Sequence, residues 1–216
     1  MGKESNVFVL GNGTSRLRFD LEKLREHGFI YGCNAIYRDF IPDKLFAVDA
    51  AMVKEFHVNK VFEKTEVCIP VGKFKSCGEY SKGMTALEGD RRKGTGCGFT
   101  ALNNAIADGF KNIYMIGFDL HPQDERPYQY FNNVYANSLN YKGDRDSPPN
   151  SSRYIPKLVD LAYANKHVKF IRAYDIETGY IPDEWINKKL DNIIHISNIE
   201  LGEELDVLVQ KDTYIR

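Results

Sequence analysis

Gly11-Asn12-Gly13-Thr14-Ser15 closes a short apolar run, Val7-Phe8-Val9-Leu10, and is the stretch best suited to hold a ligand. Glycines at that spacing after β-forming residues mark a buried strand turning sharply into a helix, with no Cβ to obstruct a close ligand. Backbone N–H groups at such a helix start favour an anion, most often a phosphate. Asn12 and Ser15 add polar side chains at the same mouth. Ligands of open α/β sheets gather beyond the carboxyl ends of the strands. The residues just past each apolar run are therefore candidates: Gly11 to Ser15, Asn34, Asp49, and Asp119-Leu120-His121. Taken singly, Asn34 and Asp49 read as helix caps. Together with the glycine turn they read as the rim of a polar, nucleotide-sized crevice.

The turn is not a dinucleotide fingerprint, because Arg16 stands where the third glycine would be, and no Gly-Lys-Ser/Thr comes after it to make a P-loop. Asp144-Arg145-Asp146 has the Asp-x-Asp form that can hold a divalent ion on a diphosphate. In a loop rich in proline and asparagine that tripeptide arises by chance, and no metal is expected. Cys33, Cys68, Cys77 and Cys97 show no C-x-x-C pairing and no histidine at zinc spacing. Cys33 and Cys68 lie in apolar runs and read as small buried hydrophobes.

The elements that must position these residues alternate. Leu17, Leu21 and Leu24 predict one helix ending at Gly28, and strands are predicted at Phe29–Cys33, Leu45–Val48 and Val67–Pro70. Residues 72–94, with few periodic apolar positions, read as an irregular loop. Thr95-Gly96-Cys97-Gly98 opens a helix with Phe99, Leu102 and Ile106 on one face, and Asn112 to Gly117 is a buried strand. Further on come a helix from about Arg153 to Asn165 and a strand at Val168–Ile171. The expected fold is a Rossmann-like α/β domain, a mostly parallel sheet with helices on both faces and a small C-terminal appendage. Residues 1–173 would form the nucleotide-binding domain, with a lid-like loop at 120–150 whose aromatic residues argue for packing. Residues 174–216 would pack on the same domain as an edge hairpin or serve a homo-oligomer contact, with a short helix near Trp185 and strands at Asn192–Ile196 and Asp206–Val209.

With 29 basic and 30 acidic side chains the net charge is −1, which gives no bulk electrostatic reason to bind nucleic acid or an anionic membrane. Arg91-Arg92-Lys93, the one basic run, reads as a solvated loop. The N-terminus lacks the apolar run of a signal peptide and no stretch is long and apolar enough to span a bilayer, so a cytoplasmic protein is expected.

Taken in order, Val9 to Ser15, Gly32-Cys33-Asn34, Thr95 to Gly98 and Ala105 to Asp119 resemble the bacterial family-42 sialyltransferases over residues 6–172. The broader group of pterin diphosphokinase-type and motility-associated transferases shares the glycine turn and the strand end. The resemblance implies a CMP-sugar donor, metal-independent sugar transfer to a glycan-type or other small acceptor, and no cofactor. It implies that Gly11, Asn12, Gly13 and Ser15 contact nucleotide and phosphate, that Asn34 holds the ribose or sugar side, and that Thr95 and Gly96 line the donor site beside Asp119. Where that family places two phosphate-binding tyrosines, this chain has His121 and, nearest to the second, Tyr128. Thr14 replaces the family's proline, and Asn150-Ser151-Ser152 stands where its catalytic histidine is expected, which leaves His121 as the candidate catalytic residue. A sialyltransferase-like glycosyltransferase is the reading adopted. A diphosphokinase or other nucleotide-dependent transferase and a catalytically inactive binding module are the alternatives.

Overall fold

The computed structural model describes residues 3–93, 96–119, 133–136, 138–141, 151–177 and 181–209. Eight strands form one sheet: β1 Asn6–Leu10, β2 Phe29–Cys33, β3 Lys44–Phe46, β4 Glu66–Pro70, β5 Thr85–Leu87, β6 Asn112–Ile116, β7 Lys169–Tyr174 and β8 Ile193–Ser197. Among the described residues seven α-helices accompany them: α1 Leu21–Leu24, α2 Ala50–Val58, α3 Val71–Cys77, α4 Cys97–Ala107, α5 Ser151–Ala164, α6 Asp183–Asn187 and α7 Asn198–Glu204. The strand order is β5-β4-β3-β2-β1-β6-β7-β8, and every pairing is parallel. The chain therefore builds outward from β1 to one edge, then restarts on the other side of β1 with β6. The β1–β6 boundary is the topological switch point, where α/β sheets open a crevice.

Every residue of β1 is buried, yet alternation still assigns its side chains to two faces. Phe8 and Leu10 join the core formed with Met52, Val53 and Phe56 of α2 and Leu201 of α7. Val7 and Val9 join the core formed with Leu102 and Ala105 of α4 and Leu158 and Ala162 of α5. Both faces are covered, as the near-continuous apolar strands require. Among the described residues, no helix is long and apolar enough to cross a membrane.

Several expectations fail locally. The single helix through Leu17, Leu21 and Leu24 is broken: Thr14–Arg18 is a 3-10 turn, and Asp20 starts α1 by accepting from the N–H groups of Glu22 and Lys23. The leucine spacing is helical, but Asp20 offers its own backbone a cap, and Leu17 is left 41% exposed. Residues 72–94 contain α3, β5 and a 3-10 turn at Gly89–Arg92, not an irregular loop. These elements are short and gain their order from packing on the sheet edge, so their periodicity is weak. Arg91, expected in solvent, pairs with Asp108 at 2.6 Å. In the tail no hairpin forms among the described residues. β8 extends the sheet in parallel, α7 comes next with a Ser197–Glu200 capping box, and Leu208 makes only an isolated bridge to Phe19.

Candidate functional site

At the switch point the end of β1 lies against the end of β6. Gly11 N–H donates to the Ile116 carbonyl at 2.8 Å, and Gly13 N–H to that of Gly117 at 2.9 Å. A Cβ on Gly11 would overlap the Gly117 carbonyl, and one on Gly13 the Asp119 carboxylate. These glycines thus permit close contact between two segments of the chain, and both also line the cleft. Ser15 closes the turn: its N–H donates to Asp119 Oδ2 at 3.1 Å and its hydroxyl to Oδ1. The anion expected at this helix start is supplied by the protein itself, and the Ser15 hydroxyl is committed to it. Burial pushes the Asp119 carboxyl above its usual range, against the Ser15 hydrogen bonds and the Arg172 charge. Arg172, itself buried, fixes the same strand end by donating to the Phe118 and Asp119 carbonyls, both at 3.0 Å.

Above this floor stand two asparagines. Asn12 comes just after β1; Asn34 comes just after β2 with a left-handed backbone (φ 53°), a conformation asparagine tolerates better than most residues. The Oδ1 atoms of both are buried without a hydrogen-bond partner. An unsatisfied buried acceptor costs roughly 1–3 kcal/mol. The Tyr141 hydroxyl accepts from Asn12 Nδ2 at 3.3 Å. A phenol both accepts and donates, so its own proton can serve a ligand. Burial pushes this phenol far above its ordinary range, so it stays protonated.

Tyr141 arrives on a strap that includes Asn133–Ala136 and Ser138–Tyr141. Asn133 bridges to Gly13, and Val134 N–H donates to the Asn12 carbonyl at 2.8 Å. Arg38 holds the far end through Ser138 Oγ (2.8 Å) and the Leu139 carbonyl (2.9 Å), while Glu55 binds Arg38, Tyr37 and Asn140.

The opposite wall is the start of α4. Its N-cap is Gly96, which has no side chain to cap it, and Cys97, Gly98 and Phe99 form the first turn. Such a terminus presents N–H groups and the positive end of the helix dipole to whatever lies in front. Gly98 leaves room for the Phe118 ring, and Gly96 for Tyr154, which stacks on Phe99 with centroids 5.7 Å apart. The enclosed cavity is about 190 Å³ and opens to solvent between these walls.

Of the residues singled out in the sequence, Gly11, Asn12, Gly13, Asn34, Gly96 and Asp119 line this cleft, and Ser15 lies behind Asp119. Asp49 is the N-cap residue of α2. Thr95, His121, Tyr128, Asp144, Asp146 and Asn150 lie outside the described residues. Among the described residues no three metal-ligating side chains gather. Cys33, Asn133, Tyr141 and Tyr154 also line the cleft, although nothing in the sequence marks them as ligand residues beyond the place of Cys33 just before Asn34. The other three reach the site through long-range packing.

No family model and no curated protein matches this chain. Solved structures do. The sialyltransferase CstII from Campylobacter jejuni, solved with the substrate analogue CMP-3FNeuAc, superposes with a TM-score of 0.54 at 15% identity, over 78% of this chain and 81% of that one. The monofunctional α-2,3-sialyltransferase Cst-I from the same organism gives 0.52 at 18% identity, over 78% and 75%. A MAf glycosyltransferase from Magnetospirillum magneticum AMB-1 gives 0.55 at 16% identity, over 90% of this chain and 34% of that one. The chain is sialyltransferase-like and, more broadly, glycosyltransferase-like in fold.

Proposed function

We propose that the cleft binds the nucleotide of a CMP-sugar and that the protein transfers the sugar to a hydroxyl-bearing glycan or small-molecule acceptor without a metal ion. The observation that carries this reading is that Asn12 and Asn34 line one cleft together with a helix start that has no side-chain cap. Two acceptors suit the hydroxyl or amino donors of a nucleoside, and the first turn of α4 suits one phosphate. Tyr141 adds a hydroxyl beside Asn12. CMP complexes of the structurally similar CstII support the choice of base.

One observation weighs against a diphosphokinase. No Lys or Arg lines the described part of the cleft, whereas a polyphosphate donor needs cationic clamps on its transferring group.

Transfer to a hydroxyl needs a base. Of the five histidines, His27, His57, His167 and His195 do not line the described cleft, and His121 comes two positions after the cleft residue Asp119. His121 is the proposed base, with Tyr128 a further phosphate ligand and Thr95 part of the donor wall. The test is a thermal-shift and calorimetric comparison of CMP, CMP-sugars, UDP, GDP and ATP. CMP at about a hundred times its dissociation constant should stabilise the fold by roughly 2.7 kcal/mol. A response to ATP or GTP alone would replace this reading with the kinase one. His121→Ala should slow transfer by about a hundred-fold or more while CMP still binds; unchanged turnover removes His121 from the site.

A further inference from the structure

Two of the four cysteines meet in the floor of the cleft. Cys33 is the last residue of β2 and Cys97 the first of α4, and both line the cavity. Strand register places Cys33 opposite Phe46 of β3. Cys97 Sγ donates to that same Phe46 carbonyl at 2.7 Å, so the α4 sulfur lies over the strand pair that carries Cys33. After burial, the neighbouring Cys33 is the group that does most to raise the Cys97 thiol above its ordinary pKa. The other two cysteines, Cys68 in β4 and Cys77 in α3, are buried and do not line the cleft.

We propose that Cys33 and Cys97 form a dithiol modification site, which a small disulfide such as glutathione disulfide oxidises to an intramolecular disulfide that closes the cleft to its ligand. Cys97 is the attacking sulfur, because it stands in the first turn of α4, where that helix start lines the cleft. Its thiolate displaces one thiolate from the small disulfide and forms a mixed disulfide. Cys33, after losing its proton, attacks the Cys97 sulfur and releases the second thiolate, and each released group takes up a proton. The protein loses two electrons and two protons, and the small disulfide becomes two thiols. Burial and the neighbouring Cys33 hold the Cys97 thiol protonated at rest, so the reaction accelerates as pH rises.

The consequence for ligand binding rests on the function proposed above; the disulfide does not. Linking β2 to α4 draws together the two walls that carry Asn34 and the first turn of α4. The bond also replaces the thiol contact with the Phe46 carbonyl.

The test uses the full chain, reduced and then treated with glutathione disulfide at pH 8. Expected are a mass loss of two hydrogens, a Cys33–Cys97 linked peptide, and a CMP affinity lower by about tenfold or more that dithiothreitol restores. Cys33→Ser should stop at the mixed disulfide on Cys97, showing the order of attack. Four free thiols after treatment, or linkage through Cys68 or Cys77, would overturn the dithiol. A disulfide that leaves CMP affinity unchanged would overturn the closure. If the linked peptide forms but the reduced protein never bound CMP, the dithiol stands and the nucleotide reading falls.

Discussion

Gly11-Asn12-Gly13 and Gly96-Cys97-Gly98 look alike as strings, each a pair of glycines at an element boundary beside the same cleft. They do opposite work. The first pair lets β1 and the end of β6 touch backbone to backbone, and the anion at its turn is the protein's own Asp119. The second pair meets only side chains, Tyr154 and Phe118, and leaves the first turn of α4 facing the cavity. A glycine turn is therefore a statement about close approach, and the partner in that approach can be the chain itself.

The largest effect should come from Gly11→Ala, which forces a Cβ onto the Gly117 carbonyl, a backbone atom with nowhere to move. A loss of about 3 kcal/mol or more is expected in urea unfolding. Gly96→Ala meets the end of the Tyr154 side chain at 2.9 Å and should cost nearer 1 kcal/mol, with its main effect on ligand affinity. Equal losses of stability in the two variants would erase the distinction.

Next in size is Asn34→Ala. CMP affinity should fall by roughly 1–3 kcal/mol, while alanine in this left-handed backbone should cost the free protein about 1 kcal/mol. A variant that melts early and binds normally would make Asn34 a structural residue, held for its left-handed backbone alone.

Acid should weaken the glycine-turn side selectively. His195 stacks on Trp185, whose ring in turn faces Arg172, the residue that fixes the Phe118 and Asp119 carbonyls. Burial, with help from the Arg172 charge, depresses the His195 pKa from 6.5 to about 4. The unfolded chain then binds the proton more readily than the native one between those values. Stability from this group is present above pH 6.5 and is lost as pH falls towards about 4. His195→Phe keeps the stack and should flatten that limb of the stability–pH curve. An unaltered limb would assign the acid sensitivity to other groups.

The smallest change is a control. Gly72 lies inside α3, and a Cβ there would touch nothing within 4 Å. Gly72→Ala should stabilise by up to about 1 kcal/mol, since this glycine has helix-propensity cost and no close neighbour to spare. Destabilisation would show that α3 needs its freedom.

Much was determined by sequence alone. Continuous apolar runs such as Val7 to Leu10 and Ile113 to Ile116 must be buried on both faces, and their alternation with helical segments dictates a parallel sheet. The strand ends then name Asn12, Asn34 and Asp119 as rim residues, because side chains at carboxyl ends share one edge whatever the connections; the same reasoning named Asp49, which is the N-cap of α2. Other features depended on the tertiary structure. Which partner a glycine faces, Gly117 or a ligand, depends on how two strands meet, and local sequence carries no record of it. Short elements such as α3 and β5 are ordered by the surface they cover, and their own spacing is too brief to announce them. Tyr141 and Tyr154 reach the cleft from the strap and from α5, and only packing brings them beside Asn12 and Gly96. That Cys33 and Cys97, 64 positions apart in the chain, line one cleft was set by the packing of α4 on β2 and β3.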